Sequence, residues 1–511
     1  MPVEGTIRNL LDKGDPDGIA ITGPERSPLN RRALAAQMDS TIASLRAFGV
    51  GRQDRVAMVL PNGPEMAALF LGVAAGAAAA PLNAAYREEE FDFYLSDIEA
   101  KLLLIEAGLE SPARVVAARR GIPIVDVAPV PSAPAGSYRL LRGEEPVAAG
   151  KLRAGEHGGP QEVALVLHTS GTTSRPKIVP LTHGNLTASA RNIGRTLGLE
   201  PSDRCLVIMP LFHIHGLVGA LLSSIAAGAS LFCPPGFNAL KFFGWLDESE
   251  ATWYTAVPTM HQTILARAER NREVIQRRPL RFIRSSSASL PPQIMQALEQ
   301  AFGCPVIESY GMTEAAHQMA SNPLPPAARK PGTVGVGAGP EVAIQGPDGG
   351  LLPPGQRGEI VIRGQNVTAG YANNPGANAE AYRNGWFRTG DLGFLDAEGY
   401  LTISGRLKEI INRGGEKITP REIDEVLMDH PAIAQALAFA MPHDKLGEEV
   451  AAAVVLREGE SATERELRDF VAGRLADFKV PRRIVVLPEI PKGPAGKLQR
   501  IGLAQRLGLT G

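Results

Sequence analysis

Two hydrophobic rhythms alternate through the first 160 residues. Short continuous apolar runs give way to helically spaced apolar positions, with turn residues between them. Residues 55–60 (RVAMVL) and 101–105 (KLLLI) read as buried strands. Such strands, alternating with helical patterns, predict parallel α/β layers. Residues 66–82 are apolar but consist largely of Ala and Gly. The run falls just short of the ~18 apolar residues of a membrane span and predicts a buried, tightly packed helix. The Pro- and Ala-rich stretch 128–136 reads as a surface loop. Residues 162–168 (EVALVLH) form another expected strand, which runs straight into a polar, glycine-containing loop.

The pattern changes character near residue 400. Thr419 is a candidate N-cap, Pro420 suits the first helical position, and Glu422 can close a capping box. Ile423, Val426 and Leu427 then share one helix face. A second capping box, Thr463 with Glu466, opens a helix whose apolar side is Leu467, Phe470, Val471, Leu475 and Phe478. With strands expected near 433–439 and 449–456, this is a small α+β unit of about 100 residues. The expected fold class is α/β: a large multi-layer N-terminal domain, residues 1–407, and a small α+β C-terminal domain, residues 408–511. The hinge between them is placed at Lys408.

Length agrees, since 511 residues exceed one ordinary core. A formal net charge of −1 gives no electrostatic argument for nucleic acid or an anionic membrane, and neither partner is expected. Cys205, Cys233 and Cys304 stand far apart without CxxC spacing. A disulfide framework or structural zinc site is therefore not expected, and a reducing cytoplasm fits. The first five residues show no signal region and the last three no peroxisomal address, so a cytoplasmic location is expected.

The loop after residue 168 carries the first candidate chemistry. Thr169, Ser170, Gly171, Thr172, Thr173, Ser174, Arg175, Pro176 and Lys177 combine hydroxyls, a permissive glycine and two cations, which suits a triphosphate. It lacks the second Gly and the Gly-Lys-Ser/Thr ending of a Walker A loop. On composition alone, a plain polar strand-to-helix connection fits equally well. The loop also resembles the Ser/Thr/Gly-rich phosphate loop of the adenylate-forming superfamily, which includes acyl-CoA synthetases and peptide-synthetase adenylation domains. Ser174 stands where Gly is usual, and Ile178 where Gly is frequent; the hydroxyls and Lys177 remain.

Further signatures follow in the order of that superfamily. Tyr310-Gly311-Met312-Thr313-Glu314 resembles the second, which implies an adenine shelf at Tyr310 and an α-phosphate contact at Thr313. It also implies Mg²⁺ held by Glu314 with Thr169. Trp386 to Asp391 (WFRTGD) resembles the third, with Asp391 on the ribose hydroxyls. Arg406 of Gly405-Arg406 would reach the same ribose. The resemblance extends the nucleotide site to Ser287, Ala288, Glu308, Ser309, Gly311 and Met312. Residues 491–498 (PKGPAGKL) resemble the catalytic-lysine loop, which makes Lys497 the group that balances charge between carboxylate and α-phosphate. The likeness implies ATP, Mg²⁺ and coenzyme A, and a mobile lid pivoting at Lys408. In a second pose the lid would bring Arg413, Gly414, Gly415, Glu416 and Lys417 to a pantetheine tunnel.

The acid is read elsewhere. Residues 209–216 (MPLFHIHG), 251–258, 284–290 (RSSSASL) and 310–325 resemble the oxalate–CoA ligase branch. A small doubly charged acid needs one carboxylate held while the other reacts, and hydroxyls and imidazoles can do this. Ser287, Ser289, His213 and His317 are the candidates, with His215 a further one. A protonated His317 would suit a dianion best. Another small carboxylic acid, or a carrier-protein loader, is the alternative reading.

Overall fold

The computed structural model describes residues 4–147, 150, 152–153, 155–169, 176–492 and 498–509. Among these residues the strands form four sheets. The first is built on parallel strands Arg55–Val59, Ala78–Pro81, Leu102–Glu106 and Ile124–Pro129. Strand Val163–His168 adds parallel to Ala78–Pro81 and turns back antiparallel as Ile178–Thr182. The second sheet carries parallel Arg204–Leu206, Trp253–Ala256, Phe282–Ser285 and Val306–Met312, then antiparallel His317–Ser321. Its central strands are buried although they carry polar and charged side chains, among them Thr255, Arg284 and Glu308.

The third sheet is antiparallel and ends at strand Leu401–Arg406. A short 3₁₀ turn, Leu407–Glu409, separates it from the fourth. That last sheet pairs Ile411–Arg413 and Ile433–His443 with Gly447–Leu456, under helices Pro420–Met428 and Glu464–Ala472. Ile423, Leu427, Leu467 and Val471 meet in its core.

Two local expectations change. The apolar run 66–82 is not one helix: helix Pro64–Gly76 ends and strand Ala78–Pro81 follows, both buried. Ala and Gly give no periodic signal to separate a buried helix from a buried strand. Thr419 is the N-cap of helix Pro420–Met428, but its side chain makes no cap hydrogen bond. Glu422 instead accepts from Lys479 Nζ at 2.7 Å, so the box does not close. The box of Thr463 with Glu466 does form. Tyr310 to Met312 are the end of strand Val306–Met312, which leads through a 3₁₀ turn into strand His317–Ser321. No helix among the described residues is long and apolar enough to cross a membrane.

Candidate active site

The base of the phosphate-loop candidate is a hairpin, not a strand-to-helix turn. Thr169 N–H donates to the Lys177 carbonyl at 2.9 Å, and Lys177 N–H donates to Thr169 Oγ1 at 3.1 Å. Ser170, Gly171, Thr172 and Thr173 lie outside the described residues, as does Lys497. Lys177 Nζ sits 4.6 Å from the centre of the Tyr371 ring. The Tyr371 hydroxyl in turn donates to Glu314 Oε1 at 2.9 Å. Glu314 is buried, and that burial raises its carboxyl pKa. A cation would offset this cost. Mg²⁺ prefers hard oxygen ligands and is commonly bound by one or two carboxylates plus substrate phosphates, so Glu314 fits the ion.

The end of strand Val306–Met312 and the third sheet build the nucleotide side. The Tyr310 hydroxyl donates to Asp391 Oδ2, and Arg406 Nε donates to Asp391 Oδ1 at 2.9 Å. Burial first, and then the Asp391 charge, raise the Tyr310 pKa well above its usual value. Asp391 is the largest cause of the raised pKa of Arg406. The expected adenine shelf and ribose carboxylate are thus one hydrogen-bonded unit. Ser286 Oγ donates to the Ser309 carbonyl at 3.0 Å, tying the two neighbouring strand ends together.

A cleft of about 540 Å³ opens over these groups. Thr169, Tyr310, Thr313, Asp391 and Arg406 line one side. Ala288 and Ser289, both exposed, also lie on its wall. The small C-terminal unit supplies the cover through Asp424, Gln435, Leu498, Gln499 and Arg500. Arg500 is anchored there by Asp424 at 2.7 Å and Glu409 at 3.2 Å. Gly414, Gly415, Glu416 and Lys417 are exposed, and Arg413 pairs with Glu449 at 2.6 Å. None of these five residues lines the cleft, so the cover presents the residues next to Lys497 instead.

At the inner end lies a second cavity of about 40 Å³, lined by His213, His215, Ser287, Gly311, Thr313 and His317. That is room for roughly three water molecules. Three of its supports are strained: Ser287, Ala316 and His317 have φ of 74°, 46° and 96°. His215 and His317 stack at 4.8 Å with 23° between their rings. His215 also lies 2.6 Å from Thr255 Oγ1 and 3.0 Å from Ser287 Oγ. A Cβ on Gly311 would stand 2.1 Å from the His317 carbonyl oxygen, so this signature glycine makes room for the left-handed histidine. Ser289 is not among the lining residues of this cavity.

The structure also corrects the expected charge on His317. Arg284 Nη1 lies 3.0 Å from His317 Nε2. Guanidinium can only donate, so Nε2 accepts and the ring is neutral with its proton on Nδ1. Arg284, Thr255 and Tyr371 were not singled out from sequence. Arg284 had a weak signal, a charge directly after the apolar pair Phe282-Ile283; Thr255 and Tyr371 had none.

The AMP-binding enzyme model matches residues 12–372, and the AMP-binding enzyme C-terminal domain model matches residues 422–497. The chain belongs to the AMP-binding enzyme family. Among its relatives, an oxalate–CoA ligase of Arabidopsis thaliana is 48% identical over 510 residues, covering 98% of each chain. An oxalate–CoA ligase of Saccharomyces cerevisiae is 43% identical over 480 residues, covering 89% of this chain and 87% of the relative. ATP-bound MatB from Rhodopseudomonas palustris is 29% identical with a TM-score of 0.88 over 99% of both chains, whereas apo MatB gives 0.78. This AMP-binding enzyme therefore matches the ATP-bound form of MatB better than the apo form.

Proposed function

We propose that the chain is an ATP-dependent carboxylate–CoA ligase whose acid is oxalate. In the first step a carboxylate oxygen attacks the α-phosphate of ATP and pyrophosphate leaves, forming the acyl-adenylate. In the second, the thiol of coenzyme A attacks the acyl carbon, AMP leaves, and the thiol proton passes to water. Lys177 and Thr313 are assigned to the phosphates, Asp391 and Arg406 to the ribose, and Tyr310 to adenine. Lys497 is assigned to charge developing between carboxylate and α-phosphate. Glu314, with Thr169, would hold Mg²⁺, which supplies charge neutralisation on the triphosphate when bound.

The observation that carries the choice of acid is the cavity of about 40 Å³ beside Thr313, walled by the imidazoles of His213, His215 and His317 and by Ser287. Its volume suits an acid of very few heavy atoms, and its donors suit a second carboxylate. The likeness to two oxalate–CoA ligases supports the same reading. His213, His215, Ser287 and His317 are the substrate side chains in this proposal; Ser289 on the cleft wall is the outermost. Rotation at Lys408, in the exposed turn Leu407–Glu409, would exchange the Lys497 loop for residues 413–417 before thioester formation.

The test is pyrophosphate release with ATP and coenzyme A across oxalate, malonate, acetate, benzoate and a long-chain acid. Oxalate should give the highest kcat/KM. No release above background with oxalate would overturn the choice of acid.

A further inference from the structure

We propose that Arg284 is the specificity-determining cation of the acid pocket, a positioning residue that acts through His317 on the carboxylate that is not activated. The proposal rests on the small cavity being the acid site.

Arg284 lies in strand Phe282–Ser285, at the centre of the second sheet, and is wholly buried. Its Nη1 donates to His317 Nε2 at 3.0 Å and its Nη2 to Gln318 Oε1 at 3.1 Å. Among the described residues its Nε has no hydrogen-bond partner. The Gln318 amide is fixed with its oxygen toward Arg284, because Gln318 Nε2 donates to Thr196 Oγ1 at 3.1 Å and the Ala338 carbonyl at 3.0 Å. Both acceptors of the guanidinium are neutral. Among the described residues no Asp or Glu pairs with it, in contrast to the buried Arg500, which holds two carboxylates.

A desolvated guanidinium without a counter-ion is costly, and an anion brought close to it recovers part of that cost. Burial pulls its pKa down to about 9, which still leaves it charged at neutral pH. The charge is separated from the cavity by one imidazole. Since Nε2 accepts from Arg284, His317 must present its N–H at Nδ1. A Cβ on Gly311 would stand 2.9 Å from that Nδ1, and Gly311 lines the cavity. The imidazole that lines the cavity is therefore polarised from behind by a fixed cation, which strengthens a bond from its N–H to an anion. The strained backbone at His317 and its stack on His215 hold the ring in this orientation.

Oxalate and oxamate separate charge from shape. They are nearly the same size, and oxamate carries a neutral amide where oxalate carries its second carboxylate. Arg284→Gln keeps hydrogen-bonding capacity toward His317 and Gln318 but removes the charge; Arg284→Lys keeps the charge. Competition assays and pyrophosphate release would give the preference for oxalate over oxamate in each protein. The Gln variant should lose about 10–100-fold of that preference, mainly through KM for oxalate, and the Lys variant should retain most of it. Arg284→Met, tested in parallel, should lose the same preference as Gln, because it too removes the charge. Equal loss toward oxalate and oxamate, or the same loss in Lys as in Gln, overturns the proposal. A wild type that ignores oxalate instead overturns the function on which it rests.

Discussion

The Tyr371 hydroxyl donates to Glu314 Oε1 at 2.9 Å while its ring lies 4.6 Å from Lys177 Nζ. One tyrosine thus orients the carboxylate assigned to Mg²⁺ and carries the ammonium assigned to phosphate. Outer contacts of this kind commonly set metal affinity within about 10–100-fold. Tyr371→Phe keeps the ring and deletes the hydroxyl. The Mg²⁺ concentration for half-maximal pyrophosphate release should rise about tenfold, with KM for the acid little changed. An unaltered Mg²⁺ dependence would show that Glu314 is oriented without this bond.

The catalytic-lysine assignment has its own test. Leu498, Gln499 and Arg500 line the cleft, and Arg500 is clamped by Asp424 and Glu409. Lys497→Ala should slow adenylate formation by on the order of 10²–10³, as when one transition-state donor is lost. Thioester formation from supplied acyl-adenylate should survive. Single-turnover measurement of each half-reaction decides, and equal loss in both would remove Lys497 from the adenylation step.

Much of this candidate site was legible because the superfamily's signatures are short local runs that the sheets bring to one cleft. Tyr310, Thr313, Asp391 and Arg406 sit around one cleft although they span nearly a hundred positions. Illegible features depended on packing between distant elements. Arg284 and His317 are on strands that flank Val306–Met312, an order no local pattern reveals, so the sequence points to the imidazole as the cavity's charge and not to the guanidinium behind it. The capping box at Thr419 lacks its carboxylate half because Lys479, 57 residues beyond Glu422, claims that carboxylate. The join at residue 77 was hidden by alanines that suit a buried helix and a buried strand alike.

Glu308 gives a prediction about stability. Its Oε1 accepts from the Leu290 N–H at 2.9 Å, while its Oε2 has no partner. Burial pushes its pKa from 4.5 up to about 7. The folded state therefore holds a proton that the unfolded state has released between those values. Stability should fall as pH rises from about 4.5 to about 7, and the contribution is gone above that. Glu308→Gln should exceed wild type at pH 8 by of order 1–3 kcal/mol and match it more closely near pH 4. Urea unfolding at the two pH values checks this; parallel stability profiles would mean that Glu308 is already ionised in the fold.

The final prediction separates His317 from Arg284. His317→Ala removes the N–H that faces the cavity and leaves the guanidinium with one fewer acceptor. Losing a donor to a buried carboxylate costs about 2–5 kcal/mol. Oxalate kcat/KM should therefore fall roughly 10–10³-fold, at ~1.4 kcal/mol per decade. Acetate, which has no second carboxylate, should change much less. The pH profile carries a sharper distinction. If His317 were the cation, oxalate KM would climb as pH passes through the ordinary imidazole range. With Nε2 accepting from Arg284 the ring is already neutral, so KM should stay flat there. It should rise only near pH 9, where burial places the loss of the Arg284 charge. A KM that climbs between pH 6 and 7 in wild type but stays flat in His317→Ala would put the charge on the imidazole, and Arg284 would then serve only to pin the ring.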